Sequence, residues 1–331
     1  MSRTQLTLAA LLIVQLLLIV LVRSPFSGAA GTVQPHALLP ALDAVTPIRL
    51  QIVGSDEREL TLEKRGDGWV VADLDGFPAD KSKIEGLLDN LRGLKVRRPV
   101  VSGSRYHETF KVGNDDFEAR LRLWDDSADD PRIDLILGTS PTYRAVHVRL
   151  AEENPVYEVR GLAAYDVRSD PGTWVDRQLV DVPAEHVVGV TVANDEGSFE
   201  IARRDGTWIV ETPEEMQGLT LDDEKVSDLV EASRSIQIAE PVGAAAGDER
   251  ETPGATVALR VQAEPEAATE IISVRVGATV EDNESQRYIS RSDFDYLATV
   301  WESSIRDLLE TKVLDLMPTD LDSESTSVQT P

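Results

Sequence analysis

The sequence contains no cysteine. Disulfides, thiolate catalysis, cysteine-ligated zinc and a lipoprotein anchor are excluded together. Aromatic residues make up 5% of the chain, and histidine occurs four times, as His36, His107, His147 and His186. The histidines stand far apart and lack metal-ligand spacing; His107-Glu108 is not followed by the second histidine of a zincin. No glycine-rich phosphate loop, nucleophile elbow or Walker motif occurs, so the chain offers no sequence basis for ATP hydrolysis. Basic residues are scarce as well, 33 against 59 acidic, a formal net charge of −26. Nucleic acid, whose phosphates need a basic face, is excluded as a partner. The residues imply no catalytic group, no cofactor and no metal site.

What is present is a repeat. Leu62-Glu63-Lys64-Arg65-Gly66-Asp67-Gly68-Trp69-Val70-Val71 returns as Ile201-Ala202-Arg203-Arg204-Asp205-Gly206-Thr207-Trp208-Ile209-Val210. Asp80-Lys81-Ser82-Lys83-Ile84 returns as Asp222-Asp223-Glu224-Lys225-Val226, and Arg98-Pro99-Val100 as Glu240-Pro241-Val242. The offset is 139 positions at the tryptophans and 142 at the prolines, one short insertion apart. Three blocks matched in order point to duplication. Each copy alternates apolar and polar residues around a Gly-Asp or Asp-Gly turn, the signature of a β-hairpin. Helical spacing follows at Ile84, Leu87, Leu88, Leu91 and Leu94, and at Val226, Leu229 and Val230. Asp80 and Asp222 (or Thr220) stand at the N-cap positions. Trp69 and Trp208 recur at the same place, which favours two core anchors over a sugar-stacking site.

Residues 6–22, beginning at Leu6 and ending at Val22, are apolar apart from Thr7 and Gln15 and are flanked by Arg3 and Arg23. Seventeen residues exceed a usual signal-peptide core of roughly 7–15 and reach the short end of a membrane span. The run reads as an uncleaved single-pass anchor, with the N-terminus cytoplasmic and the bulk of the chain outside the inner membrane. A cleaved signal, with Gly28-Ala29-Ala30 as its site, is the alternative. Residues 24–45, with Pro25, Gly28, Gly31, Pro35 and Pro40, read as a flexible stalk.

Strand patterns follow at Ile48, Leu50 and Ile52, at residues 119–124, 133–137, 143–150 and 156–159, and in the second copy at 256–261, 272–277 and 287–290. Between them residues 101–116 read as a polar loop, and His147 as an exposed strand residue. Leu297, Val300, Trp301, Ile305, Leu308 and Leu309 suggest a helical close to the second copy. Asp125, Asp126, Asp129 and Asp130 form the one dense acidic cluster. It lacks the glycine and terminal glutamate of an EF-hand and sits where a solvated hairpin loop belongs.

The sequence therefore predicts an α+β fold: two tandem repeats of antiparallel sheet with packed helices, after an N-terminal transmembrane helix. The expected divisions are an anchor (1–23), a stalk (24–45), a first repeat domain (46–183), a second (184–318) and a disordered tail (319–331). The two repeats are expected to have separate cores that meet at residues 182–187.

The short N-terminal span, the Gly-x-Trp hairpin at 66–71, the helix start at 80–84, Leu135-Ile136-Leu137-Gly138 with Tyr143, Val156 and Tyr157, and Asp176-Arg177-Gln178-Leu179-Val180-Asp181 together resemble the bacterial domain-of-unknown-function 4340 family. The resemblance covers residues 47–318 as two copies. It implies a non-enzymatic, membrane-anchored periplasmic accessory subunit of an ABC-type transport system of the gliding-motility kind. Such a subunit would work through contacts with an ABC-transporter permease or another inner-membrane protein. The family carries no catalytic residues to transfer. The alternative reading is a free-standing cell-envelope binding module for a polysaccharide or peptide.

Overall fold

The computed structural model describes Gln15 and residues 34–127, 129–244, 254–264 and 267–318. The expected anchor at residues 6–22, Gln15 apart, and the expected tail lie outside the described residues. Among the described residues no helix is long and apolar enough to cross a membrane.

The described residues build two eight-stranded antiparallel sheets and two short two-stranded ladders, with few helices. In the first unit these are β1 (His36–Ala37), β2 (Arg49–Gly54), β3 (Glu59–Arg65), β4 (Gly68–Val71) and β5 (Phe77–Pro78). After them come α1 (Lys81–Arg92), β6 (Lys95–Val96), α2 (His107–Phe110), β7 (Ala119–Trp124), β8 (Ile133–Leu137), β9 (Ala145–Leu150) and β10 (Tyr157–Arg160). The second unit opens with β11 (Gln178–Asp181), β12 (Val187–Asn194), β13 (Gly197–Arg204) and β14 (Thr207–Thr212). It continues with α3 (Asp223–Arg234), β15 (Ser235–Gln237), β16 (Pro241–Ala244), β17 (Ala255–Val261), β18 (Glu270–Val280), β19 (Asn283–Arg291), β20 (Phe294–Trp301) and α4 (Arg306–Glu310).

The first sheet runs β10-β9-β8-β7-β2-β3-β4-β5 and the second β14-β13-β12-β17-β18-β19-β20-β16. In each, the unit's first long strand (β2 or β12) lies between the next hairpin strand and the strand that follows the helical region (β7 or β17). The matched turns differ in type. Arg65 pairs with Gly68 across Gly66-Asp67, with φ positive at Gly66 (59°), the first position where a type II′ turn takes glycine. Arg204 pairs with Thr207 across Asp205-Gly206, both at positive φ (52° and 86°), as a type I′ turn requires.

Both long helices start on an aspartate. Asp80 accepts from the Lys83 amide, and Asp222 from the Glu224 and Lys225 amides. Their apolar stripes, Ile84, Leu87, Leu88 and Leu91 in α1 and Val226, Leu229 and Val230 in α3, are buried. A short strand after each helix pairs with the strand that leads into the unit, β6 with β1 and β15 with β11.

Four expectations need correction. Residues 36–43 of the expected stalk belong to the fold: β1 pairs with β6, and Leu38, Leu39 and Leu42 are buried. The leucines make the difference, since a solvated linker would leave that apolar area in water. The expected domain border at 183/184 leaves β11 with the first unit, whereas its ladder runs to β15 of the second. The expected helical close to the second copy is a strand through Trp301, followed by a 3-10 turn at Glu302–Ser304 and one short α-helix at Arg306–Glu310. Ala298 and Val300 alternate into the core there, and a small alanine is easily missed in a helical count.

The cores are not separate either. Buried residues of both units form one contiguous cluster. Phe77 of β5 meets Phe294 and Tyr296 of β20, with ring centroids 5.5 and 5.2 Å apart, and Tyr296 donates to the Gly76 carbonyl at 2.6 Å.

Candidate functional site

Strand alternation sends one set of side chains from the first sheet towards α1 and the other set away from it. On the outward set, Arg120 of β7 grips Asp134 of β8 with two parallel hydrogen bonds of 2.8 and 2.6 Å. Arg122 lies 3.6 Å from the same carboxylate and donates to the Gln51 side chain at 3.0 Å. The hydrogen bond to Asp134 raises the Arg120 guanidinium above its ordinary value, against the opposing pull of burial.

Trp124 ends the same row. The Arg49 guanidinium sits 4.0 Å over its ring, and its indole N–H donates to the Asp129 carbonyl at 2.9 Å. An open hollow of about 700 Å³ lies on each side of this indole. Ile48, Arg49, Lys64 and Asp126 line one; Arg122, Arg132, Asp134 and Glu152 line the other. Chemically this is a shallow surface of fixed guanidinium donors and carboxylate acceptors, suited to recognition of a polar partner.

One carboxylate of the acidic cluster, that of Asp125, is tied up locally. Asp125 accepts from the Ser127 hydroxyl at 2.6 Å and the Ser127 amide at 3.0 Å, and Arg132 lies 3.2 Å away. The Ser127 hydroxyl, its amide and Arg132 lower the Asp125 carboxyl below the usual range. Among the described residues no three histidine, aspartate or glutamate side chains converge as a metal site would need.

The four histidines occupy four different settings. His36 lies on β1 opposite Val96, His107 meets the Asn154 carbonyl at 2.9 Å, and His186 lies in the turn before β12. His147 was expected to be exposed; it is 8% exposed, its Nδ1 2.9 Å from the Thr139 hydroxyl and its ring against Phe110 at 4.6 Å. The expected polar loop explains this. Residues 101–117 fold back over β8 and β9, placing Val112, Ile136 and Val156 in a second small core. Arg149, 3% exposed, ties the flap down. It donates to the carbonyls of Val112, Ala151 and Glu153 at 2.7, 2.7 and 2.9 Å, and to the Asn114 side chain at 2.6 Å. Desolvation, and then repulsion from Arg120, lower its pKa, so the carbonyls act as the counter-dipoles of a buried cation.

The matched tryptophans part company. Trp69 is 6% exposed. Trp208 is only partly buried and borders a hollow of about 300 Å³ lined by Ala184, Glu185, Arg203, Asp223 and Val230. Arg149, Asp134 and the Trp124 surface were missed in the sequence. The alternation Arg120-x-Arg122-x-Trp124 was the available signal, because one strand face so charged needs partners on its neighbours.

No curated protein matches the chain. The family model described as a domain of unknown function, DUF4340, matches residues 69–255 in a single segment, from β4 of the first sheet to the first residue of β17 in the second. That segment is more than half of the chain, and the protein belongs to the DUF4340 family.

Proposed function

We propose that the protein is a non-enzymatic, membrane-anchored periplasmic accessory subunit of an ABC-type transport system, acting through protein contacts. The observation that carries this reading is the commitment of its reactive-looking side chains to the fold. His147, Asp125 and Asp134 each serve a neighbouring strand, turn or flap. The resemblance drawn from the sequence implies the transporter association, and the apolar run from Leu6 to Val22 supplies the tether. An acidic surface of net charge −26 would not hold to anionic lipid by charge, so attachment depends on that run.

The test is cell fractionation of the full chain, with mass spectrometry of its N-terminus and in-cell cross-linking to the transporter's permease. The expected result is a mature N-terminus at Met1 or Ser2, retention on membranes through a high-salt wash and a cross-link to the permease. A start at Gly31 with release into the soluble periplasmic fraction overturns the tether and favours the free binding module.

A further inference from the structure

The second unit lacks a part that the first possesses. In the first, the chain runs from β1 through Leu38 and Leu39 into the turn Pro40–Asp43, which packs on α1. Leu38, Leu39 and Leu42 join Trp69 in the core, Leu42 with no exposure. In the second, β11 leads through Val182 and Pro183 into the turn Ala184–His186, and no residue of that turn is buried. The turn still packs on α3, but this stretch buries only Val182 and leaves Ala184 and Glu185 exposed, where the first unit buries Leu38, Leu39 and Leu42. A hollow lies between this turn, Trp208 and α3.

Its walls are Trp208, Val230 and Ala184; Glu185, Asp223 and Arg203 give the rim more acid than base. At about 300 Å³ it lies at the lower limit of ligand pockets, roughly 300–1,000 Å³, which suits side chains inserted from a segment better than a whole small molecule.

We propose that this hollow is the docking site for a short leucine-bearing segment of a partner protein, with a basic residue flanking the leucines. The first unit shows the kind of segment that closes this architecture, and the rim selects the charge beside it. Buried leucine supplies affinity, and the lysine or arginine partner of Glu185 and Asp223 supplies register. The inference rests on the reading of the chain as a protein-contact module and names one surface for it; it is independent of which membrane protein provides the segment.

A synthetic peptide reproducing residues 35–43, Pro-His-Ala-Leu-Leu-Pro-Ala-Leu-Asp, with the final aspartate replaced by lysine, is the probe. The full chain is titrated with it while the indole N–H resonances are followed, that of Trp208 being assigned from the Trp208→Phe variant. The expected result is a saturable shift of the Trp208 resonance, with at least tenfold weaker binding to Ala184→Leu, which fills the hollow from within. The unaltered aspartate peptide should bind less well than the lysine form. If Ala184→Leu does not fold, Ser227→Trp on the exposed rim serves as the blocking variant. No shift of the Trp208 resonance at millimolar peptide, or equal binding to the blocked variant, overturns the proposal. Either negative result leaves membrane retention and the permease cross-link standing, and loss of those leaves the peptide result standing.

Discussion

Leu42 and Ala184 lie in corresponding turns of two units with corresponding strand orders, and their surroundings differ. The first unit buries its tryptophan together with Leu38, Leu39 and Leu42; the second leaves the indole half-buried beside a turn with no buried residue. The lesson is that a recurring core residue is only as buried as the segment laid over it. The hairpins and helices repeat, while the lid is a separate choice made in the few residues between the leading strand and the first long strand.

Removing each indole in turn should separate the two units most strongly. Trp69→Ala should cost about 3–5 kcal/mol, because the cavity opens inside a closed core. Trp208→Ala should cost about 1–2 kcal/mol, since part of that ring already contacts water. Urea midpoints of the two variants measure the difference; equal losses would mean that the two lids are equivalent after all.

The two outward sheet faces differ as well. Each holds a carboxylate shared by two arginines: Asp134 by Arg120 and Arg122, and Glu211 by Arg204 and Arg260. Asp134 works between guanidinium groups with 17% and 26% side-chain exposure, whereas Arg204 is 62% exposed. Asp134→Asn should therefore cost about 2 kcal/mol, as two half-buried cations lose their charged acceptor. Glu211→Gln should cost less, within about 1 kcal/mol, because water already solvates one partner. Thermal melts at low and high salt rank the two, and a larger loss at Glu211 would reverse the ordering.

The smallest effect is the pH dependence that Glu211 adds on the second face. Burial raises the Glu211 carboxyl, but hydrogen bonds from Arg204 and Arg260 outweigh it and hold the group below its ordinary value of 4.5. A depressed carboxylate contributes stability that is complete above the unfolded value and is lost as pH falls through the folded one. The wild-type chain should thus lose more stability than Glu211→Gln on acidification below about pH 4.5. Denaturant titrations at stepped acid pH measure it, and parallel profiles would remove Glu211 from the account.

Much of the framework was legible because local rules and packing agree there. Asp80 and Asp222 cap helices whose apolar stripes face the sheets, and the Gly-Asp and Asp-Gly turns take the φ values their types need. The β20 strand was not legible, since Leu297, Val300 and Trp301 join the residues of α4 in an apparent helical stripe. Only the cross-strand ladder to β19 settles the period. His147 and Arg149 lie on a strand face that an antiparallel sheet ordinarily gives to solvent; the flap that covers them starts more than thirty residues earlier in the chain. The openness at Trp208 was legible in principle. Leu38-Leu39-Pro40-Ala41-Leu42 and Val182-Pro183-Ala184-Glu185 differ plainly in apolar content, and comparing the lids rather than the tryptophans would have exposed it.

The junction of the units bears on how the chain can be cut. β16 is the last strand of its sheet, and it lies against β5, the last strand of the other; the Ala244 amide reaches the Asp75 carboxylate at 3.5 Å. Each unit thereby shields a margin of its neighbour's sheet that would otherwise offer unpaired backbone to any passing chain. A gene divided between β10 and β11 would yield two fragments, each with a raw edge and a stripped aromatic face where Phe77 now meets Phe294 and Tyr296. Such halves would clump when made alone and stay dispersed when made together, which makes the intact pair the smallest piece of this chain worth producing.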